Sequence, residues 1–385
     1  MPDSPLAYLG NLRPVPVGPV VPQTDGIGWL QNALARAAGD GAIDARDAER
    51  ARRIYGRLQK ASAIDARASG LDDYTHADWD RMRLYQSAGG DGQAAPGSAW
   101  YRPSLQARMA IFSEVANRAV EAAFDPDEPA PGHLIQVSCT GYDAPTAAQR
   151  VALARGWEAE SRLLHLGHMG CYAAVPATAT AANLVAANPA ENARASVFHV
   201  ELCTLHLDPT ATEPSLLVQQ ALFADGAIRY DLSKEPQENG FALLGHFERL
   251  LPETREHMTW RLADSAFDMV LSRDLPRIIR EGVGPVVEGF LAEHGLTPAD
   301  VPHFAIHPGG PSVIESTAEA LGIGEDRVPH SQAVLRERGN MSSATLPHIW
   351  KRMTEDPAVR EGDLVCSIAF GPGLTVTGNL LRRGR

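Results

Sequence analysis

The chain has little cysteine, and the cysteines that it has follow no pattern of pairing or metal binding. Four cysteines stand among 385 residues, without a Cys-x-x-Cys pair or a Cys/His cluster at zinc spacing. This argues against a disulfide framework and against a structural zinc site, and it favours a reducing compartment. We therefore expect no metal ion in this protein. The first strand is not followed by a Gly-rich dinucleotide fingerprint, so we expect no redox cofactor either.

Excess basic charge and long apolar runs are also absent. The formal net charge is −12 at pH 7, which opposes nonspecific binding to nucleic acid or anionic lipid. No stretch has the length of a membrane span, and the first residues lack the basic and apolar regions of a signal peptide. We expect a cytoplasmic protein that binds no nucleic acid and does not insert into a membrane.

The length of the chain predicts two domains or one domain of two fused halves, because a single core usually stops growing at a smaller size. Hydrophobic residues make up 44% and charged residues 21%, as in ordinary globular proteins. A polar interval, YDLSKEPQENG at 230–240, separates the two parts. We place the halves at 1–233 and 234–385.

Strands and helices alternate over most of the chain, which predicts an α/β fold with helices covering the sheets. Residues 14–21 indicate an edge strand because of their prolines, and residues 86–103 indicate a surface loop. Further strands are predicted at 133–139, 162–169, 195–207, 267–272, 302–310 and 364–370. Helices are predicted at about 29–38, 45–60, 104–124, 144–156, 171–187, 274–295, 311–322 and 331–339.

The stretch GHMGCYAAVPA places Cys171 after a tight glycine turn, at the predicted start of a helix. Unpaired N–H groups and the helix dipole favour an anion there, so we expect a lowered thiol pKa and a nucleophile. The alternative is a buried structural cysteine, the commoner fate of a lone cysteine. Pro176, five residues further on, is a possible kink in this helix.

Two other stretches place polar side chains in turns. In FAIHPGGPSVIES a strand leads into His307, which is suitably placed to donate to an oxyanion or to pair with a thiolate. In RERGNMSSATLP a turn carries Asn340, either a helix cap or a fixed amide donor aimed into a cleft. The chain has 13 histidines, so a structural histidine is the alternative for His307.

Together with the closing AFGPGLTV, these stretches resemble the four signatures of type III polyketide synthases, the chalcone synthase-like family. The pattern is most similar to the bacterial alkylpyrone and alkylresorcinol synthases, and it extends over residues 40–385. The resemblance implies the thiolase fold, with two similar halves in five αβαβα layers. It also implies a homodimer.

The resemblance assigns roles to individual residues. Cys171 matches the nucleophile of the family, and His307 and Asn340 complete the catalytic triad. Phe223 matches a gatekeeper phenylalanine between the active-site cavity and the coenzyme A tunnel. The second gatekeeper aromatic falls on Met269, a departure that softens this wall. The loop that shapes the cyclisation cavity matches Gly371, Pro372 and Gly373.

The resemblance also assigns residues to the coenzyme A end and to the acyl end of the substrate. Arg57 matches a family position that binds the coenzyme A phosphates, and Arg53 and Lys60 are hypothetical substitutes for its lysines. Residues of the HPGG stretch are assigned to the same ligand: Gly309, Gly310 and Ser312. A solvated helix face is the alternative for the cations. In long-chain alkylpyrone synthases the tunnel for the acyl tail is lined at the positions of Thr140, Ala144 and Cys203, for which core filling is the alternative.

The implied reaction is a decarboxylative condensation of an acyl-coenzyme A starter with malonyl-coenzyme A. The small tunnel residues predict a medium or long fatty acyl starter, cyclised to an alkylpyrone or alkylresorcinol. A related alternative is a 3-ketoacyl-acyl-carrier-protein synthase III-like enzyme, whose typical His and Asn stretches differ from those here. An acidic protein is also a poor dock for an acidic carrier protein. A noncatalytic relative of the same fold would be expected to have lost a triad residue.

Overall fold

The fold is described from a computed structural model, which covers residues 4–85, 93–94, 101–191 and 193–384. Most of the predicted loop 86–103 lies outside these described residues. No helix in the described ranges is long and apolar enough to cross a membrane.

The described residues contain fifteen strands. Their bounds are β1 Ala7–Val15, β2 Val20–Pro22, β3 Ala66–Ala68, β4 Gln93–Ala94, β5 Tyr101–Arg102, β6 His133–Ser138, β7 Arg162–Gly167, β8 Arg194–Leu202, β9 Asp225–Ser233, β10 Phe241–Leu250, β11 Met258–Leu262, β12 Phe267–Leu271, β13 His303–Ile306, β14 Leu364–Gly371 and β15 Thr375–Arg383.

Ten α-helices lie in the same part of the chain. Their bounds are α1 Gln23–Gly39, α2 Ala45–Lys60, α3 Leu105–Ala122, α4 Ala147–Ala154, α5 Ala174–Ala187, α6 Pro214–Leu222, α7 Leu275–Glu293, α8 Pro311–Leu321, α9 Pro329–Arg338 and α10 Thr345–Glu355.

Nine of these strands form one sheet in the order β13-β14-β15-β10-β1-β9-β8-β6-β7. The two ends of this order repeat each other, because a parallel pair lies at each edge: β6 with β7, and β13 with β14. Strand β1 joins the two parts, since its first residues pair with β10 and most of its length pairs with β9. The protein therefore consists of two similar α/β halves connected through β1.

Three apolar clusters fill the spaces between the layers. The middle cluster contains the buried faces of α5 and α10, packed against strands of both halves. A second cluster packs α1 and α3 on the first half, and a third packs α7 and α8 on the second half. The two halves of the nine-stranded sheet thus form two layers, with α5 and α10 between them and helices on both outer faces. This is the predicted five-layered α/β architecture.

Several predicted elements coincide with observed ones, and the clearest is α2, which has the predicted bounds. Its start is fixed by Asp44, whose carboxylate accepts hydrogen bonds from the backbone N–H groups of Arg46 and Asp47. Helix α4 begins with a capping box between Thr146 and Gln149. Local signals of this kind are readable from the sequence because both partners lie within four residues.

Other element predictions are wrong. The predicted edge strand at 14–21 is the end of the central strand β1 followed, after a break, by β2. The polar interval at 230–240 begins as the last part of β9, and β10 and β11 were not predicted. The predicted strand at 195–207 ends at Leu202 and continues as a short 3-10 turn.

The helix after the cysteine also differs from its prediction. Helix α5 begins at Ala174, three residues after Cys171. Pro176 therefore lies in the first turn, where its missing N–H breaks no helical hydrogen bond, so the predicted kink is wrong.

Candidate active site

Cys171 reaches the site through a tight turn between β7 and α5. Gly170 has φ +83°, and a Cβ on this residue would lie 2.8 Å from Cδ of Pro372. The ring of Tyr172, the residue after Cys171, packs closely on Gly371, and a Cβ on Gly371 would overlap this ring. Glycine is therefore required on both sides, and it lets the predicted 371–373 loop lie directly against the cysteine turn.

His307 and Asn340 come from separate turns of the second half. His307 follows the end of β13, and its backbone N–H donates to the Ile368 carbonyl at 2.8 Å. The backbone of Asn340 is held from both sides, by its own N–H to Leu222 O at 2.9 Å and by Ala224 N–H to its carbonyl at 2.8 Å. Its Oδ1 accepts from Ser342 N–H at 2.9 Å, which orients the side-chain amide.

The three predicted catalytic side chains line one cavity of about 50 Å³, which we call the nucleophile cavity. Phe223, Met269 and Pro372 also line it. His307 and Asn340 are buried, and Cys171 is half-buried. Both ring nitrogens of His307 lack a hydrogen-bond partner among the described residues. A buried imidazole without a partner is costly, and this one is available to a ligand in the cavity.

A second thiol lies beside the first. The Cys171 thiol donates to Ser342 Oγ at 3.6 Å, and Sγ of Cys139 lies 3.1 Å from the same oxygen. Cys139 lines the nucleophile cavity as well. No role for Cys139 follows from the sequence, although it stands next to the predicted tunnel residue Thr140. Ser342 belongs to the GNMSSAT stretch that contains Asn340, so its place in the site could have been predicted from the sequence.

Burial sets the protonation states of Cys171 and His307 in the protein without substrate. Loss of water raises the pKa of the Cys171 thiol to about 12, partly opposed by its hydrogen bond to Ser342. The same cause lowers the pKa of His307 to about 3. The expected lowering of the Cys171 pKa by the helix start is therefore wrong, because desolvation outweighs the local dipole. The resting site contains a neutral thiol and a neutral imidazole.

The neutral resting pair predicts how alkylation of Cys171 depends on pH. Only the thiolate reacts, so the rate with iodoacetamide is expected to rise about tenfold per pH unit from pH 7 to pH 10. The rate is measured by mass spectrometry of the Cys171 peptide in a Cys139→Ala background. A rate already level near pH 7 contradicts this prediction, because it shows a resting thiolate paired with His307.

Glu201 ties two walls of the site together. This buried carboxylate accepts hydrogen bonds from the backbone N–H of Cys139 at 3.0 Å, from the Thr140 hydroxyl at 2.8 Å and from the Ser343 hydroxyl. Burial raises the pKa of Glu201 to about 7 although these hydrogen bonds oppose the shift. The turn after β6 and the turn after Asn340 are therefore held in a fixed relation.

A larger cavity of about 460 Å³ adjoins the nucleophile cavity, and we call it the inner cavity. Thr140 and Cys203 line it, but Ala144 is exposed and lies outside the lining of both cavities. Five residues line both the inner and the nucleophile cavity: Cys139, Phe223, Trp260, Met269 and Ser342. Trp260 was not identified from the sequence, where nothing around it signals a site.

A third cavity, also of about 460 Å³, opens on the other side, and we call it the outer cavity. It shares Leu271, Leu275, Gly309 and Val313 with the nucleophile cavity. Its lining includes the predicted Gly309, Gly310 and Ser312, and also Arg273, which no sequence motif identifies.

The predicted cations of α2 do not line the outer cavity. Arg53, Arg57 and Lys60 are exposed, whereas the residues just after the helix, at 61–64, line the cavity. The three side chains make no ion pair with the described residues. They stand along the helix that leads to the rim, and Arg273 is the cation at the cavity itself.

No metal centre is found among the described residues, since they contain no group of three or more His, Cys, Asp or Glu side chains able to hold an ion. The donors at the site are a thiol, an imidazole, an amide and a hydroxyl. This set suits covalent capture of an acyl group and stabilisation of a developing oxyanion.

The fold and the site define a two-half thiolase-fold protein with a Cys-His-Asn site at the junction of its halves. Comparison with known families matches residues 98–236 to the N-terminal domain and residues 243–384 to the C-terminal domain of chalcone and stilbene synthases. The chain therefore belongs to the chalcone and stilbene synthase family, the type III polyketide synthases, which confirms the resemblance.

Curated relatives include an alpha-pyrone synthesis polyketide synthase-like protein, Pks18, of Mycobacterium tuberculosis. It is 33% identical over 258 residues, or 65% of this chain and 64% of the relative. The chain thus spans about 64% of the length of that relative. A 1,3,6,8-tetrahydroxynaphthalene synthase of Streptomyces peucetius subsp. caesius is 29% identical over 312 residues, 78% of each protein.

Solved structures confirm the fold. A polyketide synthase, PKS-I, from the brown alga Ectocarpus siliculosus superposes with a TM-score of 0.80 at 25% identity, covering 99% of this chain and 100% of that one. The 1,3,6,8-tetrahydroxynaphthalene synthase of Streptomyces coelicolor A3(2) gives 0.79 at 22% identity, covering 98% and 100%.

Proposed function

We propose that this protein primes Cys171 with an acyl-coenzyme A starter and extends it with malonyl-coenzyme A by decarboxylative condensation. The product is an alkylpyrone or alkylresorcinol. The observation that carries the proposal is the placement of Cys171, His307 and Asn340 in one cavity that adjoins both an inner and an outer cavity. Family membership supports the same chemistry.

The first step transfers the starter to the enzyme. The sulfur of Cys171 attacks the thioester carbonyl, its proton passes to His307, and the coenzyme A thiolate leaves and takes up that proton. The neutral resting pair suits this order, because an uncharged imidazole can accept the proton as the sulfur–carbon bond forms. The acyl group is then held on Cys171 as a thioester.

The second step forms the new carbon–carbon bond. Malonyl-coenzyme A loses carbon dioxide, and the electron pair of the broken bond remains as an enolate whose oxygen needs hydrogen-bond donors. His307, whose ring has no partner among the described residues, and the oriented amide of Asn340 serve as these donors. The enolate carbon attacks the acyl carbonyl on Cys171, the bond between that carbonyl carbon and the Cys171 sulfur breaks, and the released thiolate takes up a proton from water. The chain, longer by two carbons, is then carried by the coenzyme A of the malonyl unit.

The inner cavity is the proposed place for the starter chain. Its volume falls within the range of about 300 to 1,000 Å³ that small-molecule sites occupy. Each buried methylene contributes about 0.8 kcal/mol, so a chain that fills the cavity is favoured over an acetyl group. The name of the Pks18 relative, which refers to alpha-pyrone synthesis, supports the pyrone product.

The test is product analysis with purified protein. Acyl-coenzyme A starters of graded length are incubated with isotope-labelled malonyl-coenzyme A, and the products are identified by mass spectrometry. We expect starter-dependent pyrones or resorcinols that carry the label. Labelled products formed from malonyl-coenzyme A alone, with no added starter incorporated, would overturn the starter assignment.

The carrier-protein-dependent alternative is tested in the same assay. Malonyl groups are offered on coenzyme A or on an acyl carrier protein, and we expect extension from coenzyme A. The exposed cations of α2 and Arg273 at the outer cavity support a phosphate-bearing ligand at that side. We also propose that the protein acts in the cytoplasm, because its four free cysteines favour a reducing compartment.

We also propose that the protein is a homodimer joined along β7. This strand is one of the two edges of the nine-stranded sheet, and Leu163 and Leu164 on it are exposed at 38% and 39%. An apolar edge strand with open backbone groups is a template for pairing with a second chain. A twofold axis beside β7 would place the two Cys171 turns close to the interface.

Leu164→Arg is expected to convert the dimer into a monomer, because it places a charge on the pairing edge. Sedimentation at micromolar concentration measures the change. Leu262→Arg, at a leucine that is 55% exposed on β11, is the matched control and should stay dimeric. A dimer that survives Leu164→Arg, or a wild-type monomer, contradicts the assignment of β7.

A further inference from the structure

The passage between the nucleophile cavity and the inner cavity is bordered by the five residues that line both. An acyl chain held on Cys171 must pass between them to enter the inner cavity. The nucleophile cavity alone, at about 50 Å³, holds only a few water molecules. The shape of this passage therefore decides which starters can be carried.

Trp260 is the largest of the five and reaches across the passage. It lies on β11, and its indole Nε1–H donates to the carbonyl of Cys139 at 2.6 Å. Cys139 follows β6, on the side opposite the β11–β12 hairpin. The ring thus connects two walls of the passage instead of lying flat on one.

Neighbouring rings hold the indole in this position. His168 stacks on it with ring centroids 6.4 Å apart, and His206 and Phe267 meet it edge-on at 5.7 Å and 5.6 Å. The His168 ring nitrogen Nε2 also lies 2.9 Å from the Trp260 carbonyl oxygen. A ring braced on several sides does not turn away without moving the hairpin.

The position of Trp260 is related directly to that of Met269. The two residues are cross-strand partners in the β11–β12 hairpin, so their side chains lie on the same face. Met269 stands where the family resemblance places a gatekeeper aromatic. In this protein Trp260 on β11 therefore supplies the aromatic ring beside the passage, in place of an aromatic residue at position 269 on β12.

We propose that Trp260 is a specificity-determining residue that limits the width of the starter on Cys171 to an unbranched acyl chain. The proposal rests on the proposed function, since it concerns the same acyl group. Removing the indole joins the two cavities more widely and admits starters that are broad next to the thioester.

The experiment compares two starters of seven carbons, heptanoyl-coenzyme A and cyclohexanecarbonyl-coenzyme A, with labelled malonyl-coenzyme A. Wild type is expected to prefer the linear starter in kcat/KM by about tenfold or more, the size of effect that pocket shape gives for apolar groups. Trp260→Ala should raise the ratio of cyclic to linear starter by about tenfold. Trp260→Phe keeps most of the ring and should change the ratio far less.

Arg261→Ala is the control, because this neighbouring side chain is exposed on the hairpin. An unchanged ratio in Trp260→Ala, or an equal rise in Trp260→Phe, overturns the proposal, since the second result assigns the effect to the lost hydrogen bond with Cys139. If Trp260→Ala does not fold, Trp260→Leu replaces it in the same comparison. Equal use of heptanoyl-coenzyme A and cyclohexanecarbonyl-coenzyme A by the wild-type protein also overturns the proposal, and this result needs no variant. Absence of all malonyl-dependent product from wild type is a different result, which overturns the proposed function.

Discussion

Replacing Cys171 by alanine is expected to abolish both capture of the starter and formation of product. The loss should be on the order of 10⁴-fold or more, as for removal of a covalent nucleophile from an acyl-transfer enzyme. The acyl-enzyme is measured as a mass increase of the intact protein after incubation with starter alone. Because the alanine removes only the sulfur, the fold should keep its stability to within the usual small effect of such a change.

The second cysteine of the same cavity provides the matched control. Cys139 shares the Ser342 hydroxyl with Cys171, but its thiol is more deeply buried, and burial raises its pKa well above the ordinary value. Cys139→Ala is therefore expected to retain the acyl-enzyme mass. Loss of the mass increase in Cys139→Ala with retention in Cys171→Ala would reverse the roles of the two cysteines.

Replacing Asn340 by alanine is expected to slow decarboxylation of malonyl-coenzyme A and to leave acyl capture intact. One lost donor to a developing oxyanion costs about 10²- to 10³-fold in rate. Release of labelled carbon dioxide measures decarboxylation, and the intact-protein mass measures capture. His307→Ala should impair both steps, because His307 also accepts the thiol proton in the proposed mechanism.

A histidine at the start of β13, the strand that leads into His307, serves as the control for these variants. His303 lies at the start of β13 and is within 3.1 Å of the carboxylate of Asp363, away from the nucleophile cavity. His303→Gln should decarboxylate as wild type does. If Asn340→Ala also decarboxylates at the wild-type rate, its amide is only a structural group in the turn, as the capping alternative predicts.

The motifs located the polar groups of the site because each group stands in a short stretch with its own turn chemistry. Gly170 precedes Cys171, a glycine pair follows His307, and Gly339 precedes Asn340. Such turns depend on the backbone freedom of a few adjacent residues, so the sequence carries the information locally. The alternation of strands and helices predicted the fold class for the same reason.

The sequence by itself determined the family, the α/β architecture and three of the side chains that line the nucleophile cavity, Cys171, His307 and Asn340. Only the tertiary structure brought Cys139 and Trp260 together, placed Glu201 between two distant turns and left Ala144 outside the cavities. It also reversed the expected shift of the Cys171 pKa, which is raised instead of lowered. These contacts join residues between 61 and 142 positions apart. They, and the loss of water around them, arise only when the chain packs into its tertiary structure, and no local pattern encodes them.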